Sequence, residues 1–317
     1  MVMTNGAAEN SLDVETTWEL EDIVSELSAL RIKSLEERNR QDRPRKLPSR
    51  KALAGILEGL CAALFPNRLG SAGFNEEGIN YFVGHTLGVT LSKLYEQVRV
   101  ELQFTAGRKD SRGAEHTRAN VLVREFAVRL PAIRALLDRD VRAAYEGDPA
   151  ARSMDEVLVC YPGVTATLYH RLAHELYKLG APLIARMISE ISHSATGIDI
   201  HPGAQIGGSF FIDHGTGVVI GETAILGERV RLYQAVTLGA KRFPIDENGI
   251  LVKGTARHPI VEDDVVIYAG ATILGRVTIG RGSTIGGNVW LTRSVPADSN
   301  ITQAQALSEA FVGGAGI

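Results

Sequence analysis

Two hydrophobic rhythms divide the chain. Up to about residue 190, apolar residues recur every three or four positions: Leu20, Ile23, Leu27, Leu30; Leu122, Phe126, Leu130, Ile133, Leu137; and Leu168, Leu172, Leu176, Leu179. That spacing lays one apolar stripe along a helix, so these runs predict amphipathic helices in a bundle-like region. Prolines at 44, 48, 66, 131, 149, 162 and 182 punctuate them, and Gly180 followed by Pro182 reads as a helix stop. After about residue 195 the rhythm changes to six. Steps of six from Ile200 meet Ile206, Ile212, Val218, Ala224, Val230 and Val236, and steps of six from Val261 meet Ile267, Ile273, Ile279, Ile285 and Leu291. A helix would rotate that register off one face within two repeats. A short strand plus a bend fills six residues and lets apolar side chains stack in one internal row, which is the pattern of a parallel β-helix.

Glycine usage agrees, with 13 glycines in residues 1–190 and 20 in the shorter remainder, where the bends must lie. Between Val236 and Val261 the row is interrupted by the polar, turn-rich stretch from Lys241 to Gly249. This predicts a loop extruded over 240–256, a candidate lid or subunit arm. The expected organisation is a helical N-terminal domain over 1–194, a β-helix over 195–296 and a C-terminal tail over 297–317, an α+β chain.

Charge narrows the partners. With 34 Lys+Arg against 37 Asp+Glu the net charge is −3, too small a field to draw in nucleic acid or an anionic membrane, so a small substrate is expected. Cys61 and Cys160 form no metal-spaced or disulfide pattern. No window approaches the roughly 18 apolar residues of a membrane span. The first 26 residues are acidic where a targeting peptide would be basic, and the expected location is the cytoplasm.

The polar residues beside the apolar row are the candidates for chemistry. Asp199 and His214 are fifteen residues apart, so on a coil of about eighteen they fall on adjacent turns near one edge. A carboxylate bonded to one imidazole nitrogen would leave the other as a base able to deprotonate an alcohol. Spacing alone equally allows a turn histidine satisfied by backbone and an aspartate closing its own bend. Arg257, in Arg257-His258-Pro259, suits a carboxylate clamp or is a plain surface arginine. Asp148, before Pro149, reads as a helix N-cap, and Glu222 as a solvated corner. His201, His214 and His258 raise the question of zinc, but their spacing matches no known ligand pattern, and no metal is expected.

From about Tyr145 to Val295 the sequence resembles the serine O-acetyltransferases. The residues that carry this are Gly147-Asp148-Pro149-Ala150, the run from Tyr169 to Leu176, the run from Thr196 to Ala204 containing Asp199-Ile200-His201-Pro202, the run from Phe211 to Ala224 containing Asp213-His214-Gly215-Thr216-Gly217, Gln234 to Gly239, and Arg257-His258-Pro259. The resemblance implies a left-handed β-helix behind a helical domain. It also implies a homotrimer or dimer of trimers with active sites between subunits, and transfer of acetyl from acetyl-CoA to L-serine by direct attack. By resemblance His214 is the general base and Asp199 its orienting partner. Asp148 and Asp213 hold the serine amino group, Arg257 and His258 its carboxylate, with Glu222 nearby. Backbone at Gly239 and Ala269 lines the acetyl-CoA groove. Three departures stand out: the segment from Gly239 to Arg257 is longer than in short bacterial members, a family lysine falls on Thr284, and the usual coil after Pro296 is absent. The end, Gly313-Gly314-Ala315-Gly316-Ile317, resembles family tails that insert into cysteine synthase, which makes that enzyme a candidate partner through Ile317. The competing expectations are an acyltransferase for a sugar or xenobiotic hydroxyl and a non-enzymatic β-helix scaffold.

Overall fold

The computed structural model describes residues 20–37, 46–70, 75–105, 113–242, 246, 247 and 249–303. Contacts gather the chain into two units, Met1–Lys46 and Leu47–Ile317. In the first lies helix α1 (Leu20–Glu37), whose stripe of Leu20, Ile23, Leu27 and Leu30 is exposed in this chain. In the second, seven helices precede the strands: α2 (Arg50–Leu64), α3 (Pro66–Leu69), α4 (Glu76–Thr105), α5 (Ala114–Gly147), α6 (Met154–Cys160), α7 (Pro162–Lys178) and α8 (Pro182–Thr196). None of the described helices is long and apolar enough to cross a membrane.

The helix ends follow local chemistry. Ser49 and Ser153 accept from the N–H groups of Ala52 and Glu156 at the starts of α2 and α6. Prolines open α3, α7 and α8, where their missing N–H costs nothing. At α8 the orphan N–H groups of Leu183 and Ile184 donate to the buried carboxylate of Glu101 from α4 at 2.8 and 2.9 Å. Pro131 departs from its expected punctuating role, for it sits inside α5. Buried Leu122, Phe126, Leu130, Ile133 and Leu137 share one core on both sides of it, and that packing outweighs the cost of about 3 kcal/mol that a lost hydrogen bond and the ring's clash together impose.

Beyond Thr196 come short parallel strands arranged as three faces. The first face joins β1 (Asp199–Ile200), β4 (Val219–Ile220), β7 (Thr237–Gly239), β10 (Thr272–Leu274) and β13 (Trp290–Leu291). The second joins β2 (Gln205–Ile206), β5 (Ile225–Leu226), β8 (Ile260–Val261) and β11 (Thr278–Ile279). The third joins β3 (Phe211–Ile212), β6 (Arg231–Leu232), β9 (Val266–Ile267), β12 (Thr284–Ile285) and β14 (Asn300–Ile301). The hexapeptide β-helix is therefore present, and the chain turns a corner between faces after every strand.

Its register is uneven where it matters. Val219 pairs with Thr237, eighteen residues on, but Asp199 pairs with Val219, twenty residues on. The extra two residues lie in the turn from β3 to β4, so the strand row steps from Ile212 to Ile220. Each coil also buries a second row two residues earlier, and the sixfold count from Ile200 passes onto that row at Val218, Ala224, Val230 and Val236, all fully buried. A larger excursion separates β7 from β8: Thr237 pairs with Thr272, thirty-five residues on, which accommodates the extruded loop.

Helices and coils meet around a buried ion pair. Arg171 of α7 donates two hydrogen bonds to Asp140 of α5, at 2.6 and 2.8 Å, and further ones to the carbonyls of Ile206 and Gly207 in the first coil. Phe210 N–H donates to the same Asp140 carboxylate at 2.9 Å. Replacing Arg171 with Met leaves Asp140 uncompensated and is expected to cost about 3–5 kcal/mol, more than replacing both residues with apolar ones. Denaturant unfolding of the single and double variants measures this; a single variant as stable as the native chain would refute it.

The same junction collects imidazoles. His170 is fully enclosed, His174 binds the Pro202 carbonyl at 2.8 Å, and His201 accepts from Gly203 N–H at 3.0 Å. Burial lowers the pKa of all three. The unfolded chain therefore binds protons that the fold excludes. Stability should be complete above about pH 6.5, the free imidazole value, and fall as pH drops below it. Thermal unfolding as a function of pH should show that decline, and a shallower one in His170→Leu; a melting temperature indifferent to acid over this window would count against it.

Candidate active site

The turn with the two extra residues is Asp213-His214-Gly215-Thr216-Gly217, on the edge between the third and first faces. His214 takes a left-handed backbone with φ 60°, as Ser209, Arg229 and Ala235 do elsewhere on the coils. Gly215 has φ 84°, and a Cβ there would stand 2.4 Å from Ile198 Cδ1, so any other residue is strained and must displace that side chain. Gly217 N–H donates to the Gly197 carbonyl at 2.8 Å, and Asp199 N–H to the Val218 carbonyl at 2.9 Å, which lays Gly197-Ile198-Asp199 against this turn. The His214 side chain is 70% exposed, with Nε2 3.8 Å from Asp213 Oδ1. That is ion-pair reach, longer than a hydrogen bond. Among the described residues no hydrogen bond or ion pair joins His214 to Asp199; the turn and the strand are neighbours, and the expected pair is not closed.

Two further carboxylates flank this edge, each held by a partner absent from the sequence reading. Asp213 is buried and accepts from Arg231 Nη2 at 3.0 Å, while that guanidinium lies over the rings of Phe211 and Tyr233. Asp148 is not a helix N-cap. It ends α5, α6 starts behind Ser153, and the Asp148 side chain folds onto Ala150 N–H at 2.8 Å. Its other oxygen accepts from Tyr161 O–H at 2.5 Å. The tyrosine hydroxyl, helped by Ala150 N–H, lowers the Asp148 pKa, and the carboxylate in turn pushes the Tyr161 phenol up to about 12. A cavity of about 610 Å³ between α5 and β6 reaches Gly147 and Arg231 but stops short of His214.

The second group lies on the edge between the first and second faces. Glu222, in the turn after β4, accepts from Arg257 Nη2 at 2.8 Å and from Tyr177 O–H at 3.3 Å. Burial raises its pKa, but Arg257 and His201 outweigh that and the carboxyl is held low. His258 is buried, with Nδ1 2.9 Å from Thr223 Oγ1 and accepting from Thr223 N–H at 3.0 Å. Burial first, then neighbouring Arg257, lower its pKa to about 4, so the ring is neutral. The ring packs on Gly221, where a Cβ would come within 2.0 Å of His258 Cδ2.

The structure thus sorts the expected residues into two groups. Asp148, Asp213 and His214, with Asp199 alongside, belong to one edge; Glu222, Arg257 and His258 to another. No hydrogen bond or ion pair among the described residues connects the two. Gly239 and Ala269 border the first face on opposite sides, and their carbonyls accept from Gly275 and Asn288 N–H groups of the next coil. Among the described residues no three His, Cys, Asp or Glu side chains gather as metal ligands. Reasoning from spacing missed Tyr161, Tyr177, Arg231 and the anchoring role of Thr223. Thr223 stands beside Glu222 in sequence, but the helix-borne tyrosines carry no periodic signal at all.

Comparisons with known proteins agree with this fold. Residues 258–293 match the family described as bacterial transferase hexapeptide (six repeats). A plasmid-borne serine acetyltransferase of Synechococcus elongatus is 58% identical over 309 residues, covering 96% of this chain and 97% of that protein. The serine acetyltransferase of Mycobacterium tuberculosis is 52% identical over 157 residues, 50% of this chain and 65% of that protein. Among solved structures, serine acetyltransferase 1 of Entamoeba histolytica in complex with L-cysteine superposes with a TM-score of 0.69 at 37% identity, covering 83% of this chain and 89% of that one. With a relative matched end to end at this identity, and with the β-helix and its two polar edges in place, the chain belongs to the serine acetyltransferase family.

Proposed function

We propose that the two edges are complementary halves of one active site, closed between neighbouring copies of the chain in a trimer. There the enzyme transfers the acetyl group of acetyl-CoA to the L-serine hydroxyl, giving O-acetyl-L-serine and CoA for cysteine biosynthesis. The observation that carries the reading is the sorting of charge. Carboxylates Asp148 and Asp213 stand beside His214 on one edge, matched to an ammonium group. Arg257 and the neutral His258 stand on the other, matched to a carboxylate. A serine zwitterion spanning them brings its hydroxyl to His214.

His214 then accepts the hydroxyl proton as the oxygen attacks the thioester carbonyl. The tetrahedral centre collapses with loss of the CoA sulfur, and the imidazolium returns the proton to that sulfur. No covalent acyl-enzyme is involved. Asp199, one strand start away, takes up the orienting hydrogen bond when the exposed ring turns toward it, since such bonds tighten only in the loaded enzyme. The thioester arm runs along the first face between backbone at Gly239 and Ala269.

Thiol release from acetyl-CoA, measured with and without L-serine, tests this. His214→Ala should lower kcat by about 10² to 10⁴. Arg257→Ala should raise KM for serine by roughly 10- to 100-fold, the loss of a charged hydrogen bond, while acetyl-CoA binding survives. At a serine concentration well below the raised KM, co-assembly of the two impaired variants should restore part of the activity, because some interfaces then hold both native residues; no recovery would rule out a shared site. The tail, including Ile317, lies outside the described residues, and we propose it as the contact for cysteine synthase. Deleting Ile317 should abolish co-purification with that enzyme, and unchanged binding would sink the idea.

A further inference from the structure

One side chain joins both substrate-facing residues of the second edge. Thr223 Oγ1 accepts from the backbone N–H of Arg257 at 2.9 Å and of His258 at 3.1 Å. The same oxygen lies 2.9 Å from His258 Nδ1, and Thr223 N–H donates to that nitrogen at 3.0 Å. A backbone N–H has no choice of role, so Nδ1 must be bare. With two hydrogen bonds already entering Oγ1, the single hydroxyl hydrogen is free to point at Nδ1 as well. From the next coil, Arg276 Nη1 donates to the carbonyls of Thr223 and His258, at 2.6 and 3.0 Å, and closes the clip.

We propose that Thr223 is a positioning residue for the serine carboxylate: its hydroxyl ends the extruded loop at a fixed point on the coil and locks His258 as an Nε2–H donor beside Arg257. The proposal deepens the assignment of Arg257 and His258 to the carboxylate and rests on it. Its logic is one of saturation. A neutral imidazole with a bare Nδ1 carries its proton on Nε2, the only nitrogen left to meet a ligand. Burial above all, then Arg257, disfavours a positive charge on the ring; Glu222 favours it, and His201 and Arg276 add to the opposition. The enzyme so obtains a donor whose state does not change across the pH range in which it must bind serine. The ring also needs the space that Gly221 leaves, so the site is built from both sides.

Thr223→Val keeps shape and the backbone N–H while removing the hydroxyl, and Thr223→Ser restores it. In the full-length enzyme, Thr223→Val should raise KM for serine about tenfold, one net hydrogen bond, with kcat and KM for acetyl-CoA within about twofold of native. Thr223→Ser should behave as native. In ¹⁵N-histidine spectra, loss of the hydroxyl donor should move the His258 titration upward from about 4. A native KM for serine together with an unmoved His258 titration would overturn the proposal, as would parallel losses in kcat and both KM values with a lowered melting temperature. If Arg257→Ala left KM for serine native, the carboxylate assignment would fall, and the spectra would still decide whether Thr223 holds His258.

Discussion

A β-helix coil satisfies its backbone through the coils on either side, and the first coil has a neighbour on one side only. In this chain the helices supply the missing side. Arg171 donates to the Ile206 and Gly207 carbonyls, His174 binds the Pro202 carbonyl, and Asp140 accepts from Phe210 N–H. Each of these satisfies a backbone group that would otherwise be stranded at a solenoid end. Charge burial at Asp140 and Arg171 is tolerable because every strong donor and acceptor in the pair is used. The consequence is functional, since the coil being held is the one that bears Asp199, His201, Asp213 and His214. The same helices carry Asp148 at the end of α5, Tyr161 at the start of α7 and Tyr177 near its end. Placement of the coil and delivery of its partner side chains are one packing event.

The two-residue insertion between β3 and β4 explains why chemistry gathers at that corner. A regular hexapeptide bend directs its residues along the prism, where the stacked neighbours occupy them. Two additional residues force the chain outward, and left-handed φ values at His214, Gly215 and Gly217 let it return within five residues. His214 is thereby lifted clear of the stack and left 70% exposed, while Asp213, one residue earlier, stays buried against Arg231.

The period of six was legible in the sequence because interior volume admits only apolar side chains, and the helices were legible from their stripes. The insertion was not. Each coil buries two rows, so the count from Ile200 slid from the row of Ile212 to the row of Val218 without meeting a polar residue. Pro131 misled for a related reason: local propensity marks a break that long-range packing overrides. At the site, motif residues were legible through likeness to a family, but their anchors were not. Tyr161 and Tyr177 act across stretches of 13 and 45 residues, distances at which no local rhythm speaks, whereas Arg231 stands 18 residues from Asp213, one nominal coil on, and was overlooked. Asp148 shows the limit from the other side. Asp before Pro fits a helix start well, and only the geometry reveals that Ser153 has that task.

The contrast between two imidazoles bears on the proposed choice of base. His258 accepts from Thr223 N–H on Nδ1, with Thr223 Oγ1 also in contact there, and is enclosed, so neither nitrogen takes a proton cheaply. His214 stands open to solvent with Asp213 alone among the described residues in ion-pair reach. Charge distribution supports the division of the site between copies. Were Arg257 on the same edge as Asp148 and Asp213, the guanidinium would pair with them and close the site on itself. Instead Arg257 rests on Glu222 and Asp213 on Arg231, so each half is neutralised within its own chain before assembly. In the proposed site a zwitterion would add to charges that are already oriented, leaving little reorganisation for the reacting step to bear.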